Sequence, residues 1–308
     1  MAGDPVPDPA PAGGVAGLPP GASPVPDPHG RAGRNLPAAL AVGLGAGAYV
    51  VVTLLYWRFG FVLLVAAALA LASVELSRAL RRIGMTAALV PIVVGSVGIS
   101  IGSFLAGRQN PPVFSTTSVL LAALALTVIA ALVWRMPGGP EGYVRDAAAS
   151  MLIIGYVPLL GSFAALMLAA PQDGVARMVT FLLVVAMNDT GGYVAGVLFG
   201  RHPMSPKISP KKSWEGFAGS VIFGTAAAVA MTVFGLHAPF WVGLLLGVSL
   251  VAVATCGDLI ESLIKRDLGI KDMSSFLPGH GGVMDRLDSM LIAAPVAWLI
   301  MYVLVPGG

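Results

Sequence analysis

Nine apolar runs, each about 20 residues long, recur through this chain and leave only short connections between them. A run of that length crosses the hydrocarbon core of a bilayer as a helix, because a backbone in lipid must satisfy its own hydrogen bonds. The runs lie at roughly 36–57, 60–80, 84–106, 114–134, 147–170, 177–200, 214–235, 239–261 and 285–305. With 56% hydrophobic and 11% charged residues and a mean hydropathy of +0.86, the chain reads as all-α. It is expected to be a polytopic integral membrane protein of about nine transmembrane helices. The first two runs meet at a tight turn and form a hairpin, and Pro91 and Pro158 are tolerated where neighbouring helices re-satisfy the backbone.

Residues 1–34 differ from the rest. Nine of the 24 prolines fall between Pro5 and Pro28, and PVPDP occurs twice. Such a segment buries too little apolar surface to offset its chain entropy, so a disordered tail is expected, with no apolar core of a cleaved leader. Residues 35–170 then form an N-terminal set of helices and 171–308 a C-terminal region that carries the chemistry. The single cysteine, Cys256, excludes a disulfide framework and a thiolate metal site. A net charge of +3 gives no ground for a nucleic-acid partner.

Where the cations sit is more informative than how many there are. Of the 18 Lys and Arg residues, only Arg58, Arg108 and Arg177 fall on the side opposite the tail; the other fifteen share the tail's side. The positive-inside rule places that side, and the N-terminus, in the cytoplasm. A cytoplasmic Arg can do no more than set topology, and Arg78, Arg81, Arg82 and Arg135 are read so. All five lysines lie in just two of these connections, between Lys207 and Lys271, which topology alone does not require.

Three polar constellations fall on that side. Asn188, Asp189 and Thr190 sit inside the sixth run, where a carboxylate faces a cavity or a partner; Gly191 and Gly192 behind them loosen the helix or admit a ligand to its backbone. Next, two Ser-Pro-Lys units bring Lys207, Ser209, Lys211 and Lys212 into what reads as a rigid extended loop. Ser213 caps the following helix, so lysines and helix N–H groups together suit phosphates. His202 lies here with no carboxylate pattern around it. Third, residues 262–288 form the most charged connection. Asp258 shares a helical face with Glu261, Ser262 and Lys265; Asp285 and Asp288 are three apart on another. Paired carboxylates repel unless a cation binds between them, and oxygen ligands suit Mg²⁺. His280, between Pro278 and Gly281-Gly282, is the one histidine read as functional. Carboxylates, cations and no nucleophile–base pair point to phosphoryl or nucleotidyl transfer at the membrane surface.

The same residues resemble a known signature. Ser-x-apolar-Lys-Arg, four residues, Lys-Asp, then Pro-x-His-Gly-Gly-apolar-x-Asp-Arg-apolar-Asp is met by Ser262, Lys265, Arg266, Lys271, Asp272, Pro278, His280, Gly281, Gly282, Asp285, Arg286 and Asp288. This is similar to the phosphatidate cytidylyltransferase (CDP-diacylglycerol synthase) family, and the upstream Asn188-Asp189-Thr190 and SPKISPKKSWEG stretches follow in the family's order. The resemblance implies CMP transfer from CTP to phosphatidic acid within a bilayer. It further implies Mg²⁺, with a second cation conceivable at Asp189, and Asp285, Asp258, Asp288 and Asp189 as the metal-side residues. Lys265, Arg266, His280 and Arg286 would join the catalytic set. Lys207, Ser209, Lys211, Lys212, Ser262, Lys271, Gly281, Gly282 and Asn188 would hold substrate. Residues 273–276 are more apolar than expected of that linker and are read as dipping toward lipid. Arg-over-Lys usage with abundant Ala and Gly suits a bacterial plasma membrane, the site facing the cytoplasm, and a homodimer is carried as the assembly. Two alternatives stay open: a CTP-dependent polyprenol kinase and an anionic-solute transporter.

Overall fold

The apolar runs fold as helices whose ends are set by local chemistry. The computed structural model describes residues 36–108, 114–274, 276 and 281–306. Helix α1 (Leu36–Tyr56) turns into α2 (Arg58–Arg81) through Trp57 alone, and α3 (Leu89–Gly107) follows. Ser115 opens α4 (Thr116–Arg135) by accepting the Ser118 N–H at 3.0 Å. Helix α5 (Tyr143–Ile154) widens through a π-helical turn, Gly155–Leu159, into α6 (Leu160–Leu168). Pro158 sits in that turn, where its missing N–H is absorbed by the wider ladder. Helix α7 (Gly174–Phe199) leads into a two-stranded hairpin, β1 (Pro203–Ser205) and β2 (Ser209–Ser213). Helices α8 (Trp214–Ala230), α9 (Phe240–Asp267) and α10 (Met284–Leu304) complete the order. Among the described residues, eight helical stretches are long and apolar enough to cross a membrane; the first expected span is α1, apolar over Gly43–Tyr56. The protein is an all-α multi-pass membrane protein.

Leu36–Gly308 forms one compact unit. One apolar cluster joins α7, α9 and α10 to the start of α2 through Phe61, Val184, Leu246 and Met301. A second lies beneath the signature: Leu76 and Leu80 of α2, Ile153 of α5 and Met284 of α10 enclose Leu268, Ile270 and Met273. Met273 is therefore buried in protein rather than dipping toward lipid, while Phe276 is exposed. Ser275 lies outside the described residues.

Three further expectations are corrected. The charged stretch 262–288 is only in part a connection. Apolar Leu263 and Ile264 and the i,i+4 pair of Glu261 with Lys265 carry α9 to Asp267, past the expected end at 261, so Arg266 is helical too; Ser262 and Lys265 continue the helical face of Asp258 as expected, and α10 holds Asp285, Arg286 and Asp288 as the ninth run does. The Ser-Pro-Lys loop is an antiparallel hairpin in which Pro203 faces Ser213 and Ser205 faces Ser209. Finally, α7 does not loosen at Gly191-Gly192. A Cβ on Gly191 would stand 2.7 Å from the Gly219 carbonyl oxygen, and one on Gly219 would stand 2.3 Å from Ala195 Cβ. These glycines let α7 and α8 pack backbone to backbone, the small-residue solution that membranes favour.

Candidate active site

The end of α7, the hairpin, the start of α8, the end of α9 and the start of α10 share one end of the bundle, because alternate helices reverse direction. Between them lies a cavity of about 470 Å³, a size that suits a small-molecule ligand. Helix α7 contributes Asn188, Asp189 and Tyr193, and β2 contributes Lys211 and Lys212. Ser213, Gly216 and Ser220 come from the start of α8, Asp258 from α9, and Asp285, Arg286 and Asp288 from α10. Residues 70 to 100 positions apart in sequence thus meet in one space.

Each group is held by a nameable contact. Ser213 caps α8 as expected, accepting the Gly216 N–H at 3.1 Å. Glu215, in the first turn, accepts the Arg201 and His202 N–H groups at 3.1 and 3.2 Å and meets His202 Nδ1 at 2.5 Å. His202, read as lacking a carboxylate, therefore has one 13 positions downstream, and the pair closes the hairpin onto α8. Ser220 Oγ donates to the Asn188 carbonyl at 2.7 Å, while the Asn188 amide donates to Asp189 Oδ1 at 2.9 Å and aims it along the cavity wall.

The carboxylates divide into two kinds. Asp258 and Asp288 both line the cavity within electrostatic reach of each other, and Lys212 forms an ion pair with Asp258. Helices α9 and α10 approach closely here, since a Cβ on Gly257 would stand 2.7 Å from the Asp288 carbonyl oxygen. Asp189 lies within electrostatic reach of Asp258, Lys212 and Arg286. Asp285 is engaged differently. Its Oδ1 accepts Lys265 Nζ at 2.8 Å, and its Oδ2 accepts the N–H groups of Gly282 at 2.8 Å and Met273 at 3.0 Å. Asp258 and Asp288 thus lie close together, while Asp285, which lines the same cavity, is engaged by Lys265 and two backbone N–H groups. Among the described residues, no three His, Cys, Asp or Glu side chains converge as a ready-made metal cage. Two carboxylates, with substrate oxygens and water completing the shell, are the usual Mg²⁺ arrangement, and Asp258 with Asp288 fits it.

Several expected site residues lie off the cavity wall. Lys265 is sunk beneath it, between Asp285 and the fully buried Glu261. Lys207 is exposed at the hairpin tip and Lys271 in the loop after α9. Ser209, Ser262, Gly281 and Gly282 do not line it either, and Arg266 points to the hairpin, its Nε 3.5 Å from the Ile208 carbonyl. His280 lies outside the described residues.

Other residues went unnoticed in the sequence. Glu75 of α2, 4% exposed, accepts Ser274 Oγ at 2.6 Å and the N–H groups of Val283 and Met284 at 3.0 and 2.8 Å. As the sole acidic residue in a 24-residue apolar helix it was itself a signal, since a carboxylate at such a position needs partners. Arg135, read as topogenic, pairs with buried Asp146 at 2.5 Å, and Asp146 also accepts the Thr86 N–H at 2.7 Å. That correction follows from burial: Asp146 is 3% exposed and needs a countercharge.

The sequence profile of the Cytidylyltransferase family matches residues 38–304. The "Phosphatidate cytidylyltransferase" of Mycobacterium leprae is 44% identical over 290 residues, covering 89% of this chain and 90% of that protein. The protein of the same name from Mycobacterium bovis is 39% identical over 287 residues, covering 89% and 90%. One from Staphylococcus haemolyticus is 36% identical over 157 residues, covering 51% of this chain and 59% of its own length. With a profile spanning almost every helix and relatives matched nearly end to end, this chain belongs to the cytidylyltransferase family and is an integral-membrane, CTP-using nucleotidyltransferase.

Proposed function

We propose that the cavity between α7, the hairpin, α8, α9 and α10 is where CMP passes from CTP to phosphatidic acid, giving CDP-diacylglycerol and pyrophosphate. A phosphate oxygen of the lipid attacks the α-phosphorus of CTP; that P–O bond forms as the bond to the β-phosphate oxygen breaks, and the electron pair leaves with pyrophosphate. A phosphomonoester has its second pKa near 6 and is already largely ionised, so no protein base is needed. The task is to hold two polyanions in line and neutralise the leaving group. The observation that carries the reading is that Lys211, Lys212 and Arg286 share one wall system with the Asp258–Asp288 pair. Cations for phosphates and carboxylates for a divalent ion are present together.

Asp258 and Asp288 would hold Mg²⁺, with Asp189 near enough to take part. When bound, that ion would neutralise charge on the phosphates. Lys212, now paired with Asp258, exchanges that partner for a phosphate when substrate enters. Lys211 and Arg286 serve the remaining phosphate oxygens, and Asn188 keeps Asp189 aimed into the cavity. Asp285 organises α10 and the Gly282 turn rather than meeting substrate. The clustered cations of this end favour the cytoplasmic face of a bacterial plasma membrane. The homodimer expected from the sequence is read by light scattering of the purified protein.

Reconstituted protein with phosphatidic acid and α-labelled CTP tests the reading: label enters the lipid and pyrophosphate is released. Label entering from γ-labelled CTP instead would establish the kinase, and solute uptake without either would establish a transporter. Asp258→Asn keeps the fold and loses turnover by about a hundredfold or more, as expected when several kcal/mol of charge stabilisation go. Everted vesicles supplied with CTP outside are active, while right-side-out ones are not; the reverse pattern would invert the orientation.

A further inference from the structure

The start of α10 carries Arg286 and Asp288, yet its own sequence supplies no cap. Val283 stands at the N-cap position and makes no side-chain capping bond, so the first N–H groups need acceptors from elsewhere. Glu75 provides them from the other half of the chain. One oxygen, Oε1, takes Ser274 Oγ at 2.6 Å and Val283 N–H at 3.0 Å; Oε2 takes Met284 N–H at 2.8 Å. A side chain at Gly282 has no room, because its Cβ would stand 2.6 Å from Glu75 Oε2. The carboxylate thus gathers residue 274 and residues 283–284 at a single point. An anion at a helix N-terminus is also electrostatically well placed.

We propose that Glu75 is a positioning residue for the transfer reaction: by capping α10 from α2 it sets where Asp288 stands against Asp258. Glu75 does not line the cavity and touches no substrate. Its effect travels through one rigid turn, Val283 and Met284, directly into the turn that carries Asp285, Arg286 and Asp288. The opposing carboxylate is on α9, where Gly257 packs against the Asp288 backbone and Lys212 pairs with Asp258. Lys211 and Lys212 are held by the hairpin and by Ser213 and Glu215, none of which depends on Glu75. Loss of the cap therefore disturbs the carboxylate geometry more than the grip on the nucleotide.

This inference rests on the cavity being the transfer site, and the wild-type enzyme in the same assay separates the two. A wild type inactive with CTP and phosphatidic acid would fail the functional reading, whereas an active one puts Glu75 alone to the test. The experiment compares wild type, Glu75→Gln, Ser274→Ala and the double variant in nanodiscs, with rates normalised to monodisperse folded protein. The amide of Glu75→Gln keeps the shape but turns a donor toward the Met284 N–H. The expected result is a fall in kcat of about 10- to 100-fold, the scale of a misplacement near 1 Å, with KM for CTP within about threefold. Ser274→Ala lowers kcat about threefold, and the double variant is no worse than Glu75→Gln, because both act through one contact. A kcat of Glu75→Gln within about twofold of wild type, or single effects that multiply in the double, would overturn the proposal. If Glu75→Gln does not accumulate as folded protein, Ser274→Ala decides: the threefold fall supports the proposal and an unchanged kcat overturns it.

Discussion

Replacing Lys265 with methionine removes the one cation between two buried carboxylates. Its Nζ lies 2.8 Å from Asp285 Oδ1 and is paired with Glu261, and the side chains are 14%, 8% and 0% exposed respectively. The two anions do not suffer equally. Asp285 retains the Gly282 and Met273 N–H groups, whereas Glu261 has no exposure and keeps no such donors. Breaking a buried pair from one side costs roughly 3–5 kcal/mol, mostly the penalty of the charge left behind. At about 3 °C per kcal/mol, the apparent melting midpoint falls on the order of 10 °C. Adding Glu261→Gln to Lys265→Met removes that stranded charge and restores about half of the loss. The assay is thermal challenge in detergent followed by size-exclusion chromatography, run beside lipid-labelling activity. A Lys265→Met protein as heat-resistant as wild type, or a double variant less stable than the single, would refute Lys265 as a buried anchor.

Two further substitutions probe the frame. Gly219→Ala forces a methyl to within 2.3 Å of Ala195 Cβ, so α7 and α8 must part; a loss of about 1–3 kcal/mol is expected, with activity falling alongside folded yield in the same chromatographic assay. Arg135→Gln leaves Asp146 with its Thr86 N–H and the more exposed Arg145 at 3.8 Å but without its 2.5 Å partner, costing about 2 kcal/mol in thermal challenge while kcat per folded molecule stays at the wild-type value.

The helices were legible because a bilayer demands long apolar runs, and the signature was legible because its charged residues interrupt them. Span ends came out within a few residues, except where α9 continued past its apolar run on the Glu261–Lys265 pair. Hydropathy says nothing about which apolar face meets protein and which meets lipid, so the α7–α8 glycine contact was misread as a loosened helix. Composition likewise lists cations without saying which are sunk: Lys265, expected to meet substrate, and Arg135, expected only to set topology, both pair with buried carboxylates. Asp258, Asp288, Lys211, Lys212 and Arg286 gathered as expected. Glu75 was invisible to motif reading because its partners, two backbone N–H groups and one serine hydroxyl, lie some 200 positions away.

Helix α10 is tied at its other end as well. Arg177 of α7, 3% exposed, donates to the Met301 carbonyl at 2.6 Å and reaches the Val305 carbonyl at 3.5 Å, while Asp173 balances it at 2.7 Å. The strut that carries the acidic residues is thus anchored by an anion at the end where N–H groups project and by a cation where carbonyls project. The two anchors come from α2 and α7, both made before α10 in synthesis. Until α10 arrives, the recorded partners of Glu75 on that helix are missing, and Arg177 has only Asp173. Insertion of α10 is therefore the event that completes the hydrogen bonds of both, and it fastens the early helices to the late ones and closes the cavity wall in the same step.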